Sequence, residues 1–111
     1  MTRNESIMPL IIHPVPGDHD TILNWIKKLA GLNNMPLGML LGYVKHYARK
    51  QGFFQALHLL TRYPVENIEK MENEFKDMFW KNSMQCPLKN CTYTAKKRSI
   101  LTRHLNMIHG I

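Results

Sequence analysis

Four side chains constrain this chain more than any others: Cys86, Cys91, His104 and His109. They fall in the last 26 residues, in CPLKNCTYTAKKRSILTRHLNMIH, which reads C-x4-C-x12-H-x4-H. Two thiolates followed by two imidazoles, with a long gap between the pairs, are the donors of a closed tetrahedral zinc site. The two cysteines are also the only cysteines in the protein. A disulfide is the competing reading, but both thiols stand in ligand spacing and no third cysteine competes. A cysteine pair kept for metal fits a reducing compartment, so an intracellular location is expected.

Those donors reach one ion only if the cysteines sit on a hairpin knuckle and the histidines on a helix, which predicts a ββα unit. A segment this short cannot bury enough apolar surface to fold without its metal. Zinc binding is then folding energy, about 10 kcal/mol or more in peptides of this kind. Pro87-Leu88-Lys89-Asn90 forms the knuckle, and Gly110 suits a left-handed end to the helix.

On these residues the segment 84–110 resembles a Cys2His2 zinc finger, over about a quarter of the chain. The resemblance implies one structural zinc ion. Leu101 stands where the family places a leucine, three residues before the first histidine. Met84 and Ala95 occupy positions usually aromatic, and Tyr93 looks like a substitute for the second. The implied small core is Met84, Tyr93 and Leu101, with Met107 a further member. Fingers that read DNA meet base edges with the residue before the helix and with its third and sixth residues. Here those are Lys97, Ile100 and Arg103, with Ser99 nearby and Lys96 and Arg98 adding charge.

Charge points the same way. The chain carries a net charge of +7, unevenly spread. Residues 84–111 hold Lys89, Lys96, Lys97, Arg98 and Arg103 with no acid, whereas residues 1–83 hold ten Lys or Arg against eight Asp or Glu. A basic excess concentrated beside a metal motif is the footprint of a polyanion-binding surface.

The remaining sequence predicts helices. Residues 1–19, broken by Pro9, Pro14, Pro16 and Gly17, read as an extended arm whose Leu10-Ile11-Ile12 triplet packs as a strand or lies over a groove. His13 and His19 lack ligand spacing and are read as structural or exposed. A first helix, 20–32, starts at the capping oxygens of Asp18, Asp20 and Thr21 and buries Ile22, Trp25, Ile26 and Leu29. A second, 36–50, opens at Pro36 and buries Leu37, Leu40, Leu41, Val44 and Ala48. Its Gly38 and Gly42 leave room for another helix, and its end, Lys45 to Lys50, is basic. Gln51-Gly52 breaks the chain before a third helix, 53–62. A fourth is expected over 64–82, from the stripe Val65, Ile68, Met71, Phe75, Met78 and Phe79.

The expected architecture is mainly α: an arm (1–19), a small four-helix domain (20–83) and a single C-terminal ββα finger (84–111). No run of about 18 apolar residues exists, so no membrane span is expected. Four donors close the zinc shell and no phosphate loop, nucleophile elbow or carboxylate pair is present, so catalysis is not expected. The expected function is nucleic-acid binding, DNA rather than RNA, in a regulatory protein whose helices assemble or recruit partners. A eukaryotic or eukaryotic-virus source would place it in the nucleus. The alternative is an adaptor, such as a viral accessory protein, whose finger and helices bind a protein.

Overall fold

The computed structural model describes residues 10–81 and 84–110. It is mainly helical: α1 (Ile22–Leu32), α2 (Leu37–Gln51), α3 (Phe53–Thr61), α4 (Val65–Ile68) and α5 (Arg98–His109), with a short 3-10 turn at Phe79–Lys81. The first three helices follow the sequence expectation closely. α1 begins at Thr21, whose hydroxyl accepts the Asn24 N–H at 3.2 Å. Asp20 serves differently from the expected cap, accepting the Gly17 N–H and the Lys28 ammonium. Gly52 sits between α2 and α3 at φ 91, a backbone that side chains with a Cβ rarely adopt, and so turns the chain without a longer loop.

One apolar cluster holds these elements together. Ile22, Trp25, Ile26, Leu40, Val44, Leu57, Ile68 and Phe75 are fully buried within it. The Trp25 indole N–H donates to the Pro14 carbonyl at 3.0 Å, so the largest core side chain also fastens the arm. Leu10 is buried and its N–H donates to the Leu60 carbonyl, while Asn33 exchanges hydrogen bonds with the Ile12 backbone. Ile11 points away, 94% exposed. The described part of the arm, 10–19, lies over the helices and is not a strand; the expected arm's first nine residues lie outside the described residues.

The expected fourth helix, 64–82, is corrected: only Val65–Ile68 is α-helical. Of the stripe, Ile68, Phe75 and Phe79 are buried, Val65 and Met71 are half-buried and Met78 is exposed, and the backbone between them is spent elsewhere. The Glu72 carbonyl accepts the Ile22 N–H and the Glu74 carboxylate accepts the Leu23 N–H, so this stretch caps the start of α1. Asn73 accepts the Phe75 N–H in a local turn that competes with helix. Phe75 and Phe79 pack on Phe53, with ring centroids 5.7 and 5.2 Å away. Three long helices and a linker of turns replace the expected four.

The expected strands of a ββα unit are likewise absent among the described residues. In their place are two isolated antiparallel bridges, Gln85↔Thr94 and Phe75↔Leu88. The Cys86 N–H donates to the Tyr93 carbonyl and the Ala95 N–H to the Met84 carbonyl on one side of this segment. On the other, the Lys76 N–H donates to the Pro87 carbonyl and the Lys89 N–H to the Glu74 carbonyl. The segment around Cys86 is thus pinned between its own return and the 72–76 linker. No helix among the described residues is long and apolar enough to cross a membrane.

Candidate metal centre

Cys86 and Cys91 flank a tight turn in which the Cys91 N–H donates to the Leu88 carbonyl and Asn90 adopts a left-handed backbone, φ 68. Asparagine tolerates that conformation better than most residues. The histidines come from α5, which is anchored by Leu101 and Leu105 against the apolar cluster. Gly110, at φ 66, ends the helix in the left-handed conformation, and its N–H donates to the Leu105 carbonyl.

These two supports bring four donor atoms within 4.8 Å of one another. Cys86 Sγ lies 3.4 Å from His109 Nε2, and Cys91 Sγ lies 3.3 Å from His104 Nε2. The two imidazole Nε2 atoms are 3.2 Å apart. Cys86 is buried and the other three are half-buried. The four residues could hold a metal ion.

Electrostatics prepare the donors unequally. Burial pushes the Cys86 thiol up from its ordinary value; the Leu88 backbone hydrogen bond opposes this and the Cys91 thiol adds to it. Burial holds His109 below the usual imidazole value, with His104 contributing in the same direction. A neutral imidazole is the form that ligates a cation. Tyr93 stacks flat on His104, ring centroids 4.1 Å apart at 10°, and so fixes the orientation of that imidazole.

The small core implied by the resemblance is partly corrected. Leu101 is buried, but Met84 is half-buried, Tyr93 is exposed and Met107 is 72% exposed. Leu88, Ala95 and Leu105 are buried instead, joined to the core of the helices. Leu105 was visible in sequence as the position four after Leu101, one helical turn along the same face.

Of the expected nucleic-acid contacts, Lys96, Lys97, Ser99 and Arg103 are exposed and Ile100 is half-buried against the cluster. Arg98 is exposed as well and lines a groove with Lys45, His46 and Arg49 of α2. His13 and His19 are exposed. No family model, no curated protein and no solved structure matches this chain.

Proposed function

We propose that the C-terminal segment is a zinc-stapled nucleic-acid-binding unit of Cys2His2 type, its hairpin reduced to a single bridge. A tetrahedral ion with zinc's bond lengths to sulfur and nitrogen sets S···N edges at about 3.6 Å and N···N edges at about 3.3 Å. The three separations above lie close to those values, which supports zinc over a cation that prefers oxygen donors and more ligands. Four protein donors fill zinc's tetrahedral shell, so the ion would be structural and the protein no enzyme at this site.

The observation that carries the functional reading is the free face of α5. Arg103 stands exposed on it, Lys96 and Lys97 stand exposed just before its first turn, and no acid occurs from Met84 to Ile111. A helix fits the major groove of B-DNA, whereas the corresponding groove of duplex RNA is too deep and narrow to read. DNA is therefore the favoured ligand. Arg103 suits a bidentate contact to guanine, Lys97 a guanine or a phosphate, and Ile100 only an apolar contact. One such unit spans about three base pairs, so the helical region supplies assembly or recruitment in a regulatory role, which a eukaryotic or eukaryotic-virus source would place in the nucleus.

Zinc-loaded full-length protein should bind duplex DNA in fluorescence anisotropy with affinity falling steeply between low and moderate salt. The double variant Lys97→Glu/Arg103→Glu should lose that binding while keeping its zinc. Lys97 is the N-cap position of α5, where a carboxylate favours the helix, so the loss would not come from unfolding. Binding that ignores salt, or no binding to duplex or single strands, would overturn the proposal.

A further inference from the structure

α2 and α5 meet at one end and part at the other. A Cβ on Gly38 would lie 3.6 Å from Thr102 Oγ1, while one on Gly42, a turn along, would meet nothing within 4 Å. Between the helices lies a groove of about 590 Å³. Its floor includes the buried Leu41 and Leu105. Met39 and Tyr43, on the α2 side, are 49% and 44% exposed.

Basic side chains also line it. Lys45, His46 and Arg49 come from α2 and Arg98 from α5, and no carboxylate residue lines the groove among the described residues. Burial, then the charges of Arg98 and Arg49, hold the Lys45 ammonium below its usual value. Cys86 acts weakly in the opposite sense and raises it. The dipole of α2 explains Arg49, which lies in its last turn. It does not explain Arg98, which opens α5 at the positive end, where a cation is unfavourable. Among the described residues, neither local helix energetics nor a carboxylate partner accounts for Arg98 lining the same groove as Lys45 and Arg49.

We propose that the α2–α5 groove binds an acidic peptide with apolar anchors, its side chains entering between Met39 and Tyr43 and its carboxylates meeting Arg49 and Arg98. Charge complementarity requires an anionic occupant, and the floor decides its class. Aliphatic leucines and a methionine receive apolar side chains and adapt to their shape. A nucleic-acid strand needs stacking platforms, and the groove offers one tyrosine over an aliphatic floor that cannot pair with base edges. Lys97 and Arg103 do not line the groove, so substitutions there separate this site from DNA binding.

The test uses zinc-loaded full-length protein and a fluorescein-labelled synthetic peptide of about a dozen residues, Leu or Phe at helical i, i+3, i+4, i+7 spacing and Glu elsewhere. A control peptide carries Ser at the apolar positions. The Leu/Phe peptide should bind and the Ser peptide at least about tenfold more weakly. Arg98→Glu and, separately, Tyr43→Ser should each weaken binding about tenfold or more, while Lys97→Glu/Arg103→Glu should leave it unchanged. Both groove variants are at surface positions, and a glutamate at the start of α5 suits the helix, so folding is retained. Absent peptide binding, or equal binding of the Ser peptide, would overturn the proposal. So would displacement of the peptide by a single-stranded oligonucleotide whose own affinity depends on Arg98, which would make the groove a nucleic-acid channel.

Discussion

The helices 22–61 and the segment 84–110 are held together by different physics, although they share one apolar cluster. In the first, Ile22, Trp25, Ile26, Leu40 and Val44 lose nearly all contact with water, and transfer of apolar surface suffices to hold α1, α2 and α3. In the second, Leu88, Ala95, Leu101 and Leu105 form only a thin apolar layer, and Met107 and Ile108 remain largely exposed. What that segment has in compensation is four convergent donors. The difference teaches where each region is fragile: one depends on volume, the other on charge chemistry. The linker 72–76 belongs to both, capping α1 with one set of backbone groups and pairing with the Cys86 segment through another.

Removing the metal should produce the largest effect and break the two regions apart. Binding free energies of zinc to peptides of this type are about 10–16 kcal/mol at neutral pH. Cys86→Ser, His104→Ala or excess chelator should therefore melt α5, twelve residues, while α1–α3 stay helical. Hydrogen exchange reads this directly: amides of 98–109 lose protection and those of 22–32 keep it. Equal loss in both regions would mean that the shared cluster makes them one cooperative unit.

Core truncation makes the converse cut. Trp25→Ala should cost about 3–5 kcal/mol, because it empties the largest fully buried side chain and frees the Pro14 carbonyl that holds the arm. Denaturant unfolding of 22–61 should shift accordingly, while the absorption spectrum of cobalt substituted at the Cys/His cluster is retained. Phe75→Ala should differ in kind. It stacks on Phe79, packs on Phe53 and bridges Leu88, so both the unfolding midpoint and the cobalt spectrum should change.

These contrasts also explain what could be read from the residues. The four donors announced their meeting because metal ligation ties residue type and spacing to one geometry. α1, α2 and α3 were legible because their apolar positions repeat at helical spacing with a cap or a glycine at the ends. The stretch 69–81 repeats just as well and is not α-helical, with only a 3-10 turn at its end. Periodicity reports which side chains are buried, not where the backbone hydrogen bonds go. Here Glu72, Glu74 and Lys76 give theirs to α1 and to the segment around Cys86. The strands were expected from resemblance, but the pairing shrinks to single bridges at Gln85 and Leu88. The α2–α5 groove was invisible for a different reason: it joins Lys45 and Arg98, which no local pattern relates.

Acidity should act on the Cys/His segment with opposite signs in its metal-free and metal-bound states. Without metal, burial favours the protonated Cys86 thiol in the folded chain. The folded state then holds a proton that the unfolded state releases, so metal-free stability falls as pH rises through the thiol range. With metal the thiol must ionise, so metal affinity rises with pH, by about tenfold or more per unit below that range. His109 titrates below the usual imidazole value, so its proton competes with metal only in more acidic solution. Zinc competition titrations against pH, set beside thermal unfolding of the metal-free protein, should show the two trends crossing. Parallel trends would mean that Cys86 is not a donor.

The smallest expected effect isolates the helical region alone. Thr21 caps α1 through the Asn24 N–H, and its neighbours Ile22 and Leu23 take their acceptors from Glu72 and Glu74. The start of α1 is therefore satisfied from two sources, its own cap and the linker. Thr21→Ala removes one and should cost about 1 kcal/mol, within the usual range for a lost N-cap. The urea midpoint should fall without a change in slope, since the surface exposed on unfolding is the same. Metal affinity should not move, because no donor or its support touches this cap. A drop in metal affinity would show that strain at α1 reaches the cluster through 72–76, and the linker would then transmit between the two regions as well as tie them.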